Sequence, residues 1–164
     1  MSDSGSLLRS AGLLALDVDG VLTDGTLLYG PEGVSQSFSS TDGAAIVGLR
    51  RSGFPVALIS FRDLPATRRR ASALGIDLLC LGTDRKDAAL ERVCMHLGLD
   101  ISKAVFMGDG PMDLPALRIA GVSVCPANAH CSVIAQCDLV TSAPGGRGAV
   151  AELIKMLNGS RDLG

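Results

Sequence analysis

Residues 12–23 read GLLALDVDGVLT, an apolar run that ends in a turn containing two aspartates, Asp17 and Asp19. A short apolar run that stops at a turn signal is typical of a strand buried on both faces. We therefore predict the first strand at residues 12–18, inside a parallel sheet. The two carboxylates stand where this strand leaves the core, which is where open α/β sheets bind their ligands.

Apolar runs of strand length alternate with segments of helical periodicity along the rest of the chain. The predicted strands are residues 12–18, 55–60, 77–81, 103–107, 122–125 and 138–140. The predicted helices are residues 43–52, 65–74, 84–97, 112–120, 131–135 and 148–157. This alternation predicts an α/β fold, a Rossmann-like three-layer sandwich with a central parallel sheet between two layers of helices.

One segment interrupts the alternation between the first strand and the first helix. Residues 26–38 contain two short extended pieces around the turn residues Pro31, Glu32 and Gly33. This pattern predicts a β-hairpin. A hairpin inserted after the first strand would lie over the carboxyl ends of the strands and form a flap above the ligand site.

Length and composition limit the organisation of the chain. The 164 residues, 47% of them hydrophobic, can form one substantial core, so we expect a single domain over residues 1–164. Its ends, residues 1–10 and 159–164, are expected to be frayed. The sequence shows neither a membrane-length apolar run nor the features of a signal peptide. We expect a cytoplasmic protein.

Charge, aromatic content and cysteine count favour small-molecule chemistry. The net charge of -2 comes from interspersed acids and bases, which argues against nucleic-acid or membrane partners. The absence of Trp and the presence of only one Tyr remove the stacking surfaces of single-strand binders. Five cysteines without a C-x-x-C pair do not predict a disulfide framework or a zinc site.

A second acidic cluster, which contains Asp109 and Asp113, follows the predicted strand at residues 103–107. Asp17 and Asp19 are two positions apart, so they are expected to share one face of the first strand. Because parallel strands end at the same edge of a sheet, the four carboxylates should converge, and a cation would relieve their repulsion. Such an oxygen-rich shell suits Mg²⁺, which would also draw charge from a phosphoryl group. We predict Mg²⁺ as the cofactor.

Two more polar residues are predicted at this edge. Ser60 closes the second predicted strand, and Lys86 lies near the start of the helix at residues 84–97. Either residue alone is commonly a turn hydroxyl or a solvated lysine. Their position beside the carboxylates favours a role in binding phosphate.

The chain resembles the haloacid dehalogenase superfamily of phosphohydrolases, whose four motifs occur here in the typical order. The matching residues are Asp17 with Asp19, Ser60, Lys86, and Asp109 with Asp113. The resemblance covers nearly the whole chain. It implies that Asp17 attacks phosphorus to form an aspartyl-phosphate, and that Asp19 protonates the leaving oxygen and then activates water.

The same resemblance implies the binding roles. Mg²⁺ would be held by the Asp17 carboxylate, the backbone carbonyl of Asp19 and the Asp109 carboxylate. Ser60 and Lys86 would bind the phosphate oxygens. The remaining motif residue, Asp113, would orient the lysine or support the metal shell.

Within the superfamily the chain is similar to the 3-deoxy-D-manno-octulosonate 8-phosphate phosphatases. The similarity rests on DVDGVLTDG at residues 17–25, TDG at residues 41–43 and GGRGA at residues 145–149. It implies a phosphorylated sugar acid as substrate, first of all 3-deoxy-D-manno-octulosonate 8-phosphate. Nonulosonate 9-phosphate phosphatases and the phosphatase-like domains of acylneuraminate cytidylyltransferases share the pattern. A 9-phosphate substrate and a non-catalytic tetramerisation module are therefore alternatives.

These segments also provide the candidate substrate-binding residues Thr23, Asp42, Gly43 and Arg147, and Arg62, two residues after Ser60, is a further candidate. The two arginines could hold a substrate carboxylate, because a planar guanidinium binds both of its oxygens. A surface ion pair for Arg62 and a helix-entry role for Arg147 agree with the sequence equally well. For Asp42, a cap on the first predicted helix is the favoured role.

The group lacks a separate cap domain, and its members typically form tetramers in which a neighbour's hairpin or tail closes the site. In this chain the hairpin at residues 26–38 and the tail around Arg147 would do so. The resemblance therefore implies a homotetramer. Oligomerisation is also expected on physical grounds, because small substrates need enclosure and no insertion here is large enough to fold alone. Two residues depart from the group: Phe61 replaces a common glycine, and Gly110 replaces a common acidic residue. Both departures are expected to affect substrate identity more than catalysis.

Overall fold

The computed structural model describes residues 4–162, which form a six-stranded parallel sheet, a separate hairpin and seven α-helices within that range. The strands are β1 (Leu13–Leu16), β2 (Leu28–Gly30), β3 (Gly33–Ser35), β4 (Val56–Ser60), β5 (Leu78–Leu81), β6 (Ala104–Met107), β7 (Val122–Cys125) and β8 (Leu139–Val140). The helices are α1 (Ser4–Leu8), α2 (Ser40–Arg51), α3 (Pro65–Leu74), α4 (Lys86–Leu97), α5 (Leu114–Ile119), α6 (Cys131–Ile134) and α7 (Ala149–Asp162).

The central strand β1 explains why helices cover both faces of the sheet. All four of its residues are fully buried, and successive side chains point to opposite faces. Leu14 and Leu16 join an apolar core with α2 and α7, whereas Leu13 and Ala15 join a second core with α4 and α5. Each fully buried leucine contributes about 2 kcal/mol of hydrophobic stabilisation. The predicted three-layer α/β sandwich is confirmed.

The strand order β5-β4-β1-β6-β7-β8 determines where the ligand crevice lies. The chain adds β4 and β5 on one side of β1, and then crosses to add β6 and its successors on the other side. The order therefore reverses at β1, and a crevice opens outside its carboxyl end. Asp17 and the loop that follows β6 border this crevice.

The hairpin of β2 and β3 lies within residues 26–38, as predicted, and pairs Leu28 with Ser35. It is separate from the main sheet and exposes its apolar side chains. Leu28 is 68% exposed and Tyr29 is 73% exposed. The hairpin therefore presents an apolar surface to solvent in this chain.

The two ends of the chain differ from the expectation that they are frayed. Within residues 1–10, α1 packs against α7, and its Leu8 is fully buried in the core. Within residues 159–164, α7 continues to Asp162, and the buried Ser160 donates a hydrogen bond to the Leu157 carbonyl at 2.7 Å. Leu8 thus anchors α1 to the core beside α7. Residues 1–3 and 163–164 lie outside the described residues.

None of the helices in the described part of the chain combines the length and the apolar character that crossing a membrane requires.

Candidate active site

Asp17 is the first residue after β1 and lies at the bottom of the crevice, where it is 5% exposed. Its N–H donates to the Met107 carbonyl at 2.9 Å, so the backbone ladder with β6 continues one residue beyond the strand. Its Oδ1 accepts a hydrogen bond from the Val18 N–H at 2.7 Å and lies 2.9 Å from Lys86 Nζ. Backbone and side-chain contacts therefore fix the carboxylate.

The turn after Asp17 departs from the expected strand, because β1 ends at Leu16 and not at residue 18. Asp19 therefore lies in a turn instead of on a strand face. Gly20 has a φ of 85°, and a Cβ at this position would collide with the Asp109 carboxylate. Glycine thus permits the close approach of the two acidic segments.

Thr23, a candidate for substrate binding, is fully buried and shapes this same turn. Its Oγ1 accepts hydrogen bonds from the N–H groups of Gly20 at 3.2 Å and Gly25 at 3.1 Å. Thr23 does not line the cleft. In this structure its hydroxyl oxygen binds backbone N–H groups of the turn, and its contact with the substrate stays a prediction.

Lys86 Nζ bridges two buried carboxylates at the floor of the crevice. It lies 2.9 Å from Asp17 Oδ1 and 2.6 Å from Asp113 Oδ1. Burial acts to lower the pKa of Lys86, but the charges of Asp17 and Asp113 outweigh burial, and the pKa is raised. Lys86 is therefore a permanent cation in the floor of the site.

Asp113 contacts both Lys86 and the loop after β6. While its Oδ1 binds Lys86, its Oδ2 accepts hydrogen bonds from the N–H groups of Asp109 at 2.9 Å and Gly110 at 3.0 Å. The residue is 1% exposed. Asp113 thus positions the lysine and the loop after β6 together.

The carboxylates of Asp17, Asp109 and Asp113 form an acidic cluster at which a metal ion could bind. Each offers an oxygen, and these oxygens all lie within 4.8 Å of one another. Burial and repulsion from Asp113 raise the pKa of Asp17 well above its usual value, and the same causes raise the pKa of Asp109 to about 6. A single lysine leaves this cluster with net negative charge, so the residues present fit a divalent cation such as Mg²⁺.

The crevice is a cavity of about 240 Å³. It brings together all of the predicted catalytic, phosphate-binding and metal-binding residues, the supporting Asp113 and one substrate-binding candidate, Arg62. These are Asp17, Asp19, Ser60, Arg62, Lys86, Asp109 and Asp113. Ser60 is 1% exposed, and Phe61 and Met112 stand at the opening, 49% and 46% exposed. The cavity is smaller than the range of about 300–1,000 Å³ that is usual for ligand pockets, so it suits a phosphate group better than a whole sugar.

Asp19 occupies the open side of the cleft, and its two oxygens have different partners. Oδ1 accepts a hydrogen bond from Gln36 Nε2 at 2.7 Å, and Oδ2 lies 3.4 Å from Arg62 Nε. Gln36 Oε1 in turn accepts a hydrogen bond from Thr67 Oγ1 at 2.7 Å. Sequence reasoning missed Gln36 and Thr67, because neither the hairpin pattern nor the α3 periodicity distinguishes them from other polar residues.

Asp42 lies away from the cleft, and it does not cap the first helix, the role that the sequence favoured. Ser39 caps α2 by accepting a hydrogen bond from the Asp42 N–H at 3.2 Å. The Asp42 carboxylate accepts hydrogen bonds from the N–H groups of Gly148 at 3.2 Å and Ala151 at 2.8 Å. It therefore caps the last helix, α7, and ties it to α2.

Gly43 is also outside the cleft. A Cβ at this position would collide with the Arg70 guanidinium, whose Nη2 donates to the Ser39 carbonyl at 2.9 Å. Gly43 thus leaves room for the Arg70 guanidinium beside α2. The substrate contact of Gly43 stays a prediction.

Arg147 does not line this chain's own cleft. Its side chain is 72% exposed and lies 3.8 Å from Asp24. The preceding glycines pack on the turn after Asp19, where a Cβ on Gly145 would collide with the Gly20 carbonyl. The glycine loop thus supports the acidic turn, while Arg147 remains on the outer surface.

Comparisons with known proteins agree with this geometry. Residues 82–154 match the family model of haloacid dehalogenase-like hydrolases. Over 151 residues the chain is 38% identical to the 3-deoxy-D-manno-octulosonate 8-phosphate phosphatase KdsC of Haemophilus influenzae, a match that covers 92% of this chain and 84% of that protein. It is 36% identical to KdsC of Escherichia coli K12 over 146 residues, 88% of this chain and 78% of that protein.

A solved structure extends the similarity to the whole fold. The crystal structure of 3-deoxy-D-manno-octulosonate 8-phosphate phosphatase from Moraxella catarrhalis, in complex with magnesium, phosphate and KDO, superposes with a TM-score of 0.95. The two chains are 33% identical, and the match covers 99% of this chain and 94% of that chain. The fold and the family predicted from the sequence are confirmed.

Proposed function

The chain belongs to the 3-deoxy-D-manno-octulosonate 8-phosphate phosphatase family of haloacid dehalogenase-like hydrolases, and we propose that it hydrolyses the 8-phosphate of that sugar acid. It is a phosphatase, as its motifs predicted. The observation that carries the proposal is the contact of Lys86 with both Asp17 and Asp113 at the floor of a phosphate-sized cleft. A nucleophilic carboxylate beside a fixed cation suits attack on a phosphate ester.

In the first step, a carboxylate oxygen of Asp17 forms a bond to phosphorus while the bond between phosphorus and the sugar oxygen breaks. Asp19 gives its proton to the departing oxygen, so the sugar acid leaves as an alcohol. The product on the protein is an aspartyl-phosphate. Lys86 and Ser60 are proposed to hold the other phosphate oxygens during this transfer.

In the second step, Asp19 accepts a proton from a water molecule as the water oxygen bonds to phosphorus. The bond between phosphorus and the Asp17 oxygen breaks, which releases inorganic phosphate and restores the nucleophile. Asp19 thus acts once as an acid and once as a base. Its place on the open side of the cleft leaves it access to both the sugar oxygen and water.

The cofactor is Mg²⁺, as predicted. The residues proposed to hold it are Asp17 and Asp109 through their carboxylates and Asp19 through its backbone carbonyl. Asp113 is left to orient its partners, because both of its oxygens already accept hydrogen bonds. When bound, the metal neutralises charge on the carboxylates and on the transferring phosphoryl group.

A homotetramer remains part of the proposal. The cavity is small, its opening carries the apolar Phe61 and Met112, and the hairpin exposes Leu28 and Tyr29. Exposed apolar groups at the hairpin and at the opening suit a subunit contact that encloses the sugar. Light scattering should give four chains per particle, and a Leu28→Ser/Tyr29→Ser variant should dissociate and show a higher KM. The cytoplasmic location stays a prediction.

The function is tested by phosphate release from a substrate panel. The panel contains 3-deoxy-D-manno-octulosonate 8-phosphate, a nonulosonate 9-phosphate and ordinary sugar phosphates, each with Mg²⁺ and with excess EDTA. We expect selective release from the 8-phosphate that EDTA abolishes. Preference for the 9-phosphate would establish the alternative substrate, and no turnover of any ester would favour a non-catalytic module.

A further inference from the structure

A chain of hydrogen bonds connects the buried side of α3 to Asp19. Thr67 Oγ1 donates to Gln36 Oε1 at 2.7 Å, and Gln36 Nε2 donates to Asp19 Oδ1 at 2.7 Å. We infer that Gln36 is a positioning residue for Asp19, and that Thr67 fixes the orientation of the Gln36 amide. The inference rests on the proposed function, in which Asp19 is the acid and base.

The chemistry of the three side chains determines which atom donates and which accepts in each of these hydrogen bonds. In its role as base Asp19 is ionised and can only accept hydrogen bonds; its Oδ1 accepts one from Gln36 Nε2, which leaves Oδ2 to carry the proton in the role as acid. The Gln36 carbonyl then faces Thr67, whose hydroxyl can donate. Thr67 is fully buried on α3 and so provides a fixed donor. The amide is held at both ends, with its donor directed at the carboxylate.

Asp19 needs such a contact because the rest of its surroundings are loose. It lies in a turn beyond β1, and its side chain is 23% exposed. Its other partner, Arg62, is 42% exposed at a distance of 3.4 Å, and exposed ion pairs of this kind contribute little. Gln36 is therefore the firmer of the two side-chain contacts that hold Asp19.

Positioning matters most for a group that must act on two different oxygens. A general acid and base must lie within hydrogen-bond reach of each proton it transfers. Gln36 follows β3 directly, so the same contact also joins the end of the hairpin to Asp19. The placement of the hairpin and the orientation of the acid are thereby linked.

The first test removes each hydrogen bond while keeping the size of the side chain. With the Mg²⁺-loaded enzyme and the sugar-acid phosphate, Gln36→Met should lower kcat about tenfold and leave KM within about twofold. Thr67→Val should lower kcat about threefold, and Thr67→Ser, which keeps the hydroxyl, should match the wild type. Unchanged kcat in Gln36→Met, or equal losses in Thr67→Val and Thr67→Ser, would overturn the inference.

The second test uses a leaving group that needs no proton. The value of kcat/KM reports the steps up to formation of the aspartyl-phosphate, and 4-nitrophenolate departs without protonation. Gln36→Met should therefore lower kcat/KM about tenfold for the sugar-acid phosphate and less than about twofold for 4-nitrophenyl phosphate. A merely structural role for Gln36 would lower both values equally, and that result would overturn the inference.

A double variant tests whether Thr67 acts through Gln36. Gln36→Met/Thr67→Val should be no slower than Gln36→Met alone, whereas independent sites would multiply their losses. Multiplied losses would overturn the role of Thr67. A wild type that hydrolyses neither ester would refute the proposed function itself, whereas an active wild type with unaffected variants would refute only the positioning.

Discussion

The active site has two regions that differ in how they hold their charges. The floor consists of Asp17, Lys86, Asp109 and Asp113, and the rim consists of Asp19, Phe61, Arg62 and Met112. Lys86 is 3% exposed and contacts two carboxylates within 3 Å, whereas Arg62 is 42% exposed and lies 3.4 Å from one. A cation and a carboxylate therefore interact strongly in the floor and weakly at the rim.

This difference follows from desolvation and screening. In the floor, burial makes each unpaired charge costly, and the low local dielectric strengthens every contact. At the rim, water and salt screen the charges, so ion pairs there contribute little to the stability of the protein. We expect floor variants to change rate and folding stability, and rim variants to change substrate selection.

The largest effect is expected from Asp17→Asn, which keeps the shape of the floor. An amide cannot serve as the nucleophile, so kcat should fall at least about 10³-fold. Metal-free protein should become more stable, because the neutral amide replaces a buried carboxylate whose pKa is raised by burial and by Asp113. Phosphate release and urea unfolding in EDTA measure the two changes.

The matched control for this variant is Asp77→Asn, an exposed aspartate just before β5. It should leave both activity and stability unchanged. An active Asp17→Asn protein would show that the floor does not hold the nucleophile.

A second large effect is expected from removing the cation of the floor. Lys86→Met leaves the buried carboxylates of Asp17 and Asp113 without their shared partner, and should lower the free energy of unfolding by about 3–5 kcal/mol. The corresponding rim variant, Arg62→Met, should lower the free energy of unfolding by less than about 1 kcal/mol. Urea unfolding of the metal-free proteins gives both values. Equal costs would abolish the distinction between floor and rim.

Mg²⁺ should stabilise the floor in a pH-dependent way. The pKa of Asp109 is raised to about 6 by burial and by Asp113, so in metal-free protein its contribution to stability decreases as the pH rises from about 4 to about 6. Mg²⁺ binding requires the carboxylate, so a concentration of one hundred times Kd should add about 2.7 kcal/mol at pH 8 and less at pH 5.

Thermal unfolding with Mg²⁺ and with EDTA at the two pH values measures this effect. Asp109→Asn should remove most of the stabilisation that Mg²⁺ provides at pH 8. A gain of the same size at pH 5 and pH 8 would contradict the assignment of the metal to the floor.

The smallest of these effects concerns substrate choice at the rim. If Arg62 binds the substrate carboxylate, Arg62→Met should raise KM for the sugar-acid phosphate about tenfold. KM for 4-nitrophenyl phosphate, which lacks a carboxylate, should not change. Arg69→Met, at an exposed position on α3, is the control. Equal increases in KM for both esters would assign Arg62 to the phosphate instead.

The distinction between floor and rim also applies to prediction: the sequence indicated the residues of the floor, but not all of the residues outside it. The sequence placed Asp17 and Asp109 just after strands and Lys86 near the start of a helix, and a parallel sheet brings these ends to one edge. The α/β fold was predicted for the same reason, from the burial of β1 on both faces. Topology alone is enough to assemble the floor.

Residues outside the floor depend on contacts that the sequence pattern does not encode. Gln36 reaches Asp19 only because the chain after β3 returns to the acidic turn, and Thr67 is recognised only through Gln36. The oxygens of Thr23 and Asp42 bind backbone N–H groups of the turn and of α7, contacts that the sequence pattern did not reveal. Backbone groups that need partners compete with the ligand for polar side chains.

The central claim, covalent catalysis by Asp17 in the floor, is tested most directly by trapping its phosphoryl group. Mg²⁺-loaded Asp19→Asn protein is mixed with 4-nitrophenyl phosphate, quenched in acid, and examined by intact-protein and peptide mass spectrometry. We expect one phosphoryl group on Asp17, because formation needs no acid with this ester whereas breakdown needs the missing base. Turnover without an adduct, or an adduct on another residue that persists in Asp17→Asn, would contradict the account.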